Sequence, residues 1–593
     1  MRRILVFVAA GALLAVPALP VAAQTATATA SRVSNASPPD TTPENHQNEP
    51  ALAVDAHRPN VLVSGWNDFV DGIPCPEQTA TQNGNCLAGP PALGLSAVAF
   101  SFDSGRSWVQ PTYTGWTGRN CPPDPDCPGE FGPIGTLPWY YESGWASSGD
   151  PAVAIGPRPG PNGFSWANGS RVYYANLVST ISGAFPSHDI LKGFTGIAVS
   201  RLDNPTPSRV LDKNSWMRPV IANTHANQTA FEDKEQIWAD NASSSPYFGR
   251  VYACSVQYRG VGTFQNANEP APLTVSVSPD GGTTWRSKQI TAAGTTGRGP
   301  TGWGMSGCTV RTESTGVVHV FAEMFENPAL SGLPTHGAHV MFTSYNGGHT
   351  WTRMRTLWRI TDPCFFIDPV EGRCVMDGYA GARTDLSAAP SIDIANGAPT
   401  GAGATNEIVD AWADASGGLN NEKAMLAWYS HGAWHGPTAV SLAGDRPMYA
   451  APAISPTGDR VYVVYEAVRS PWRGTDMTAP RPYRGVLRSA ALGASGAPSG
   501  WTTPYVGPTG DLRGTYPGHD IYQERIGDYV YAVATRTYGA GVWTDARDAQ
   551  VCPAVQDYRA ASIAAGARAL PAPWPLFQCP RFGNTDIWAA TTG

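Results

Sequence analysis

The sequence predicts an all-β chain of seven small antiparallel sheets closed into a ring, a seven-bladed β-propeller. Three observations carry this: a strand-turn-strand unit that recurs seven times, a short turn that recurs three times, and a composition that disfavours helix. Gly and Pro number 64 and 53 in 593 residues, and the apolar residues alternate with period two almost throughout. The seven units are Glu49–Val54 with Val61–Trp66, Asp150–Ile155 with Val172–Leu177, Lys234–Ala239 with Val251–Tyr258, Cys308–Thr312 with Val317–Met324, Pro390–Ile394 with Ile408–Trp412, Pro452–Ser455 with Val461–Tyr465, and Gly527–Val533 with Gly541–Trp543. Each is followed by a third apolar run: Leu95–Phe100, Thr195–Ser200, Leu273–Ser278, His339–Ser344, Ala424–Tyr429, Gly485–Ala490 and Asp586–Ala590. Closing such sheets into a ring leaves few open edges. Six blades with one copy miscounted is the alternative, and the last copy is the weakest of the seven.

The recurring turn follows three of these third runs. It reads Ser101-Phe-Asp103-Ser-Gly105-Arg-Ser107-Trp108, then Ser278-Pro-Asp280-Gly-Gly282-Thr-Thr284-Trp285, then Ser344-Tyr-Asn346-Gly-Gly348-His-Thr350-Trp351. Asp or Asn bonds its own backbone, Gly accepts positive φ, and Trp packs the corner. Asp103, Asp280 and Asn346 are therefore read as structural. The pattern is that of the Asp box, and here the chain resembles the sialidase-like, BNR-repeat propeller superfamily. That resemblance implies a propeller with Asp boxes on one rim and a ligand site at the other. True sialidases also carry an Arg-Ile-Pro motif ahead of the first box. This chain has none, so no sialidase catalytic residue is carried over and sialic acid is not expected as substrate.

The ends of the chain suggest export. Arg2 and Arg3 precede the apolar run Ile4–Val21, and Val21-Ala22-Ala23 offers a cleavage site before Gln24, so residues 1–23 read as a signal peptide. Residues 24–48, rich in Ala, Thr, Ser and Pro, read as a flexible linker. Residues 49–593 then form a single propeller domain, expected to be secreted, monomeric and without a membrane anchor. The net charge is −7, only five of the forty basic residues are Lys, and no basic stripe occurs. Nucleic acid is therefore not an expected partner. The ten cysteines suggest five disulfides: Cys75/Cys86, Cys121/Cys127, Cys364/Cys374, Cys552/Cys579 and, by remainder, Cys254/Cys308. No cofactor is indicated. The acids Asp124 and Asp126 in the Cys121–Cys127 loop admit a structural Ca²⁺ but lack a full ligand set.

In a propeller, first-strand starts and second-strand ends emerge on one face, opposite the Asp boxes. Acids recur there: Glu49, Asp68, Asp150, Asp233, Glu235, Glu323, Asp410, Asp414, Glu466, Glu524, Asp528 and Asp545. From these, Asp68, Asp150, Glu323, Glu466 and Asp528 are taken as catalytic candidates. Trp66, Trp412, Arg525, Trp543 and Arg547 are taken as substrate-binding candidates. Carboxylates serve as acid, base or nucleophile, and indole faces stack on sugar C–H surfaces. Asp545 with Arg547 also reads as a blade-closing ion pair. Zinc-protease, nucleophile-elbow, P-loop and dinucleotide motifs do not occur. Two functions follow: a glycoside hydrolase acting on extracellular glycans at this mouth, or a non-catalytic propeller that binds a glycan or a protein. Carboxylates all tied to Arg or backbone would favour binding.

Overall fold

A computed structural model of the chain describes residues 27–35, 46–72, 93–121, 128–180, 195–225, 230–259, 271–291, 303–326, 332–384, 386–493, 496–516, 521–522, 526–573 and 579–593. Seven antiparallel sheets form seven blades, which settles the count against six. Blade 1 holds Gln47–Val54, Leu62–Asp68 and Ser96–Ser101. Blade 2 holds Ala152–Gly160, Gly163–Thr180, Thr195–Asp203 and Trp216–His225, with Trp145–Ser147 added beside the second of these. Blade 3 comprises Ala230–Ala239, Val251–Arg259, Leu273–Ser278 and Arg286–Gln289. Blade 4 comprises Trp303–Thr312, Val318–Glu326, His336–Ser344 and Arg355–Thr361. Blade 5 runs Ser391–Ile394, Ile408–Asp414, Lys423–Ser430 and Ala433–Ala439. Blade 6 runs Arg446–Ile454, Arg460–Val468, Pro482–Leu492 and Pro498–Val506.

Blade 7 is closed by both ends of the chain. Tyr531–Ala534, Gly539–Asp545 and Asp586–Thr591 come from the C-terminal end, and Thr29–Arg32 adds the outer strand, pairing Thr29 with Thr591 and Arg32 with Trp588. Part of the stretch read from composition as a linker is thus a strand. Its residues are small and polar because an outermost strand buries only one face. Trp108 donates to Ser31 Oγ at 3.1 Å, so the first blade also holds this strand.

The apolar core lies between blades rather than within one. Tyr174 of blade 2 reaches under blade 1 and donates to the Ala97 carbonyl at 2.7 Å. A Cβ on Gly65 would sit 2.5 Å from the Tyr174 ring, so only glycine permits that approach. Gly485 has the same relation to Trp543, again at 2.5 Å. Cys254 and Cys308 form a disulfide that ties blade 3 to blade 4. Cys364–Cys374 and Cys552–Cys579 are also formed, and Cys121 is disulfide-bonded. Cys75, Cys86 and Cys127 lie outside the described residues. The late insertion folds as helix α1 (Pro553–Ala565), opened by its N-terminal Pro and closed by Gly566 in the left-handed region. Among the described residues no helix is long and apolar enough to cross a membrane.

The three recurring turns have one geometry. Ser101, Ser278 and Ser344 each direct their hydroxyl to the acid or amide two residues on, at 2.9, 2.9 and 3.1 Å. The same hydroxyls accept from Gly105, Gly282 and Gly348 N–H. Asp103 and Asp280 accept from the backbone and hydroxyl of Ser107 and Thr284. Asn346 accepts from Thr350 N–H, but its amide donates to Thr350 Oγ1 at 2.8 Å, reversing the last bond.

Candidate functional site at the channel mouth

The first strands enter the channel through a distortion shared by several blades. The register slips between Asn48 and Ala51 in blade 1, between Asp233 and Gln236 in blade 3, and between Ser306 and Cys308 in blade 4. A bulge of this kind prefers glycine in the left-handed region, and blade 4 supplies Gly307 at φ +53°. Blades 1, 2 and 3 place charged residues there instead: Glu49 at +56°, Asp150 at +50° and Lys234 at +58°. Each carries a backbone strain of about 1–2 kcal/mol, and the three side chains join one cluster.

Lys234 stands at its centre. Its ammonium lies 2.6 Å from Asp528 Oδ2, 3.3 Å from Asp150 Oδ2 and 3.7 Å from Asp233 Oδ1. Arg383, from the connection between blades 4 and 5, contacts Asp528 and lies 3.8 Å from Glu49. Asn67 links the first two blades, donating to Glu49 Oε2 at 2.7 Å and accepting from Asp150 N–H at 2.8 Å. Burial opposes a charge on Lys234, but Asp150, Asp233 and Asp528 override it and raise its pKa well above the usual lysine value. Four carboxyl groups, Glu49, Asp150, Asp233 and Asp528, therefore share two cations.

Glu235 is the exception in this cluster. It is buried, and neither of its carboxyl oxygens has a hydrogen-bond partner. Burial, then the nearby Asp150 and Asp233 carboxylates, push its pKa well above the usual range. Its surroundings therefore favour the protonated form. Lys234, Glu235, Tyr449, Asp528, Tyr529 and Tyr531 line a cavity of about 50 Å³. Since one water needs roughly 10–15 Å³ by this measure, the cavity holds a few waters and no sugar ring. Arg311 of blade 4 lies 3.7 Å from Asp393 of blade 5.

The sequence candidates separate into two groups. Asp150 and Asp528 meet in the cluster through Lys234. Asp68 does not: it accepts from Trp66 Nε1 at 3.1 Å, Val70 N–H at 3.0 Å and Gln110 at 3.2 Å, a set of bonds that caps the end of its strand. Glu466 accepts from Thr544 N–H at 2.8 Å and so joins blade 6 to blade 7. Glu323 is buried in the second strand of blade 4, opposite His339 and Ser306.

The three indoles expected to stack on sugar have no accessible face: Trp66, Trp412 and Trp543 are all at most 1% exposed. Each instead donates to the acid two residues on: Trp66 to Asp68, Trp412 to Asp414 at 3.2 Å and Trp543 to Asp545 at 2.9 Å. Those acids then accept from Val70, Ser416 and Arg547 N–H. This Trp-x-Asp staple is a second repeated structural device, on the face opposite the three turns. The expectation of ring stacking is corrected here, because the rings fill gaps between blades; Trp412, for instance, packs edge-on against His339 at 4.6 Å. Arg547 forms a bidentate pair with Asp545 at 2.8 and 2.7 Å and lies 3.6 Å over the Trp588 ring, so its charge and its face are both engaged. Arg525 lies outside the described residues, as do Glu524, Asp124 and Asp126.

Strand position in the sequence gives no reason to single out Lys234 or Arg383, nor Glu235 from the other recurring acids. A signal lies instead in the run Asp233-Lys234-Glu235 at a strand start, where one of only five lysines sits between two acids. Arg383 lies outside any repeat. His339 is likewise bound on both sides, Nδ1 to Asp410 at 2.7 Å and Nε2 to the Ala388 carbonyl at 2.6 Å. Although burial works against its charge, Asp410 raises its pKa, and it forms a buried ion pair behind the mouth. Among the described residues no group of three or more His, Cys, Asp or Glu is placed to hold a metal ion.

No protein-family model and no curated protein matches the chain. Among solved structures it is similar to a Hadza microbial sialidase, at 10% identity and TM-score 0.36, over 66% of this chain and 62% of that one. It is similar to a leech intramolecular trans-sialidase complexed with 2,7-anhydro-Neu5Ac, at 11% identity and TM-score 0.37, over 73% and 67% of the two chains. It is also similar to a Penicillium chrysogenum alpha-L-arabinanase complexed with arabinobiose, at 14% identity and TM-score 0.28, over 53% and 74%. The chain spans less than two thirds of the first of these.

Proposed function

We propose that the protein is a secreted, carbohydrate-active propeller that hydrolyses a glycosidic bond of an extracellular glycan at the channel mouth. One observation carries this reading: Glu235, a buried carboxyl without a hydrogen-bond partner, lies beside carboxylates held by Lys234. A carboxyl whose surroundings favour its protonated form suits the role of acid, and a carboxylate beside it the role of base. Glu235 donates its proton to the glycosidic oxygen as the C–O bond breaks. A water from the adjoining cavity attacks the anomeric carbon, and Asp150 accepts the proton that this water sheds. The products are two hydroxyl-bearing sugars; Asp150 then releases its proton to solvent, and solvent returns one to Glu235. The sugar ring sits outside the small cavity, at the rim, and reaches in with the bond to be cut.

The second reading is a glycan-binding propeller without turnover. It draws on the bound state of Asp68, Glu466 and Asp545 and on the size of the cavity. One experiment separates the two. The chain from Gln24 onward is incubated with plant and bacterial polysaccharides and with sialosides, and both reducing-end release and binding are scored. Hydrolysis predicts release from one class and its loss in Glu235→Gln. Binding without release, in wild type and variant alike, establishes the platform reading.

A further inference from the structure

A second site lies outside the channel, on the flank of blades 1 and 2. The hairpin Tyr113–Thr117 and Glu130–Ile134 projects from the sheet, and Trp116 is registered directly opposite Phe131. Trp116 stacks on Tyr141 with ring centroids 4.5 Å apart and planes within 1° of parallel. Two rings of this run stay in solvent, Phe131 at 53% and Tyr141 at 37% exposed, while Trp116 is half-buried and backs Tyr141. Beside them Trp139 adopts φ +74°, a conformation that bulky side chains almost never take.

Trp139 is fixed in that conformation from three directions. Its indole donates to the Lys213 carbonyl at 3.0 Å. The Lys213 ammonium lies 4.4 Å over its ring and 5.2 Å from the Phe131 ring, and Arg218 lies 5.0 Å over it. Lys213 is itself neutralised by Glu142 and donates to the Thr114 carbonyl at 2.6 Å. A strained residue held by so many contacts marks a surface shaped for a use. Exposed single aromatics elsewhere, such as Tyr345 at the tip of a turn, have no such support.

We infer that Phe131, Trp116 and Tyr141 form a preorganised platform for a neutral polysaccharide chain, separate from the channel mouth. Flat ring faces suit the apolar C–H faces of pyranose or furanose rings, and they lose little entropy because they are already fixed. At the rim Lys213 pairs with Glu142, Arg218 is engaged by the Glu142 carbonyl and the Trp139 ring, and Glu130 accepts from Asn120. Two cations thus face two carboxylates, and neither sign is in excess for a charged glycan. A stable protein partner would need about 800 Å² on each side, far more than two exposed rings supply. On this inference the platform holds a long glycan against the molecule.

The test is native affinity electrophoresis through gels containing dextran, β-glucan, xylan or arabinan. The proteins are the wild type, Phe131→Ala/Tyr141→Ala, Phe131→Leu/Tyr141→Leu, Tyr345→Ala and Glu235→Gln. The Leu pair keeps apolar bulk without a ring face and serves if the Ala pair fails to fold. Expected is retardation of the wild type by at least one gel and weakening by about tenfold in either double variant. Tyr345→Ala and Glu235→Gln should migrate as wild type does. The inference is overturned if no gel retards the wild type, if the Leu pair is retarded equally, or if Glu235→Gln alone abolishes retardation.

Discussion

At two of the three repeated turns, acids sit near solvent and are consumed by their own loop; at the channel mouth, acids sit in the interior and crowd each other. Asp103 and Asp280 lose a little hydration, but hydrogen bonds from Ser107 and Thr284 outweigh it and lower both pKa values. Glu235 loses nearly all hydration, gains no side-chain donor, and its pKa rises. Asp71, near the mouth, is pushed up to about 6 by burial despite Arg119 at 2.8 Å. Recurrence of an acid therefore does not mark chemistry. What distinguishes Glu235 is desolvation without a partner, and only one of the two regions supplies it.

Substituting Glu235 tests that distinction most severely. A positioned general acid contributes about 10²–10⁴-fold, so Glu235→Gln should lower kcat by that factor in the glycan-release assay. Stability should move the other way. The folded pKa of Glu235 lies above its unfolded value of about 4.3, so the fold favours the protonated form. Stability is then full below that unfolded value and is lost as pH rises toward the folded one. Gln cannot ionise, so the variant should melt higher than wild type at pH 8 and alike at pH 4. A wild-type pH-rate profile falling on its alkaline side, as Glu235 deprotonates, would agree. A variant that keeps wild-type turnover would return the mouth to the same class as the turns.

Lys234→Met removes the cation that Asp150 and Asp528 share. Its side chain is 7% exposed and that of Asp528 0%, and breaking a buried ion pair from one side costs about 3–5 kcal/mol. Urea unfolding at pH 7 should show that loss. The raised Lys234 pKa keeps the wild-type contribution full up to about pH 10.4, the unfolded value, and lost only above it. In acid the loss should shrink, because the stranded carboxylates take up protons. An unchanged midpoint at pH 7 would mean that water, not Lys234, compensates the cluster.

How far the sequence showed these regions follows from how each is built. The seven sheets were visible because every blade repeats the same apolar alternation, and the turns because Ser, Asp or Asn, Gly and Trp recur at fixed offsets. The outer strand Thr29–Arg32 was hidden, since an edge strand of small polar residues has the composition of a linker. At the mouth, Asp150 and Asp528 were found from strand position alone. Trp66, Trp412 and Trp543 were found by the same rule but lie between blades, because alternation does not tell an inward face from a face against the next blade. Arg383 was out of reach, as it enters the channel from an irregular connection with no repeat to index it.

The Trp-x-Asp staple makes a smaller and purely structural prediction. Trp412→Phe removes one indole donor, while Asp414 Oδ2 keeps the Thr361 N–H at 3.1 Å, so the cost is that of one hydrogen bond, about 1 kcal/mol. The melting midpoint should fall while glycan binding at the rim stays as in wild type. Reduced glycan binding in a protein with an unchanged melt would restore the indole to the binding surface.

Asp103→Ala should have the smallest effect, because the turn is exposed and water replaces part of what is lost. By analogy with a lost helix cap, about 1 kcal/mol is expected. Its pH dependence is the sharper readout. The folded pKa of Asp103 lies below its unfolded value of about 3.9, so its contribution is complete above that value and disappears as pH falls through the folded one. The gap between wild type and Asp103→Ala should therefore close in acid. Asn346 fills the same position with an amide that does not titrate, so the gap between wild type and Asn346→Ala should stay open over the same range. Two gaps that close together would mean that a shared loss of structure in acid, rather than the ionised Asp103, governs the turn.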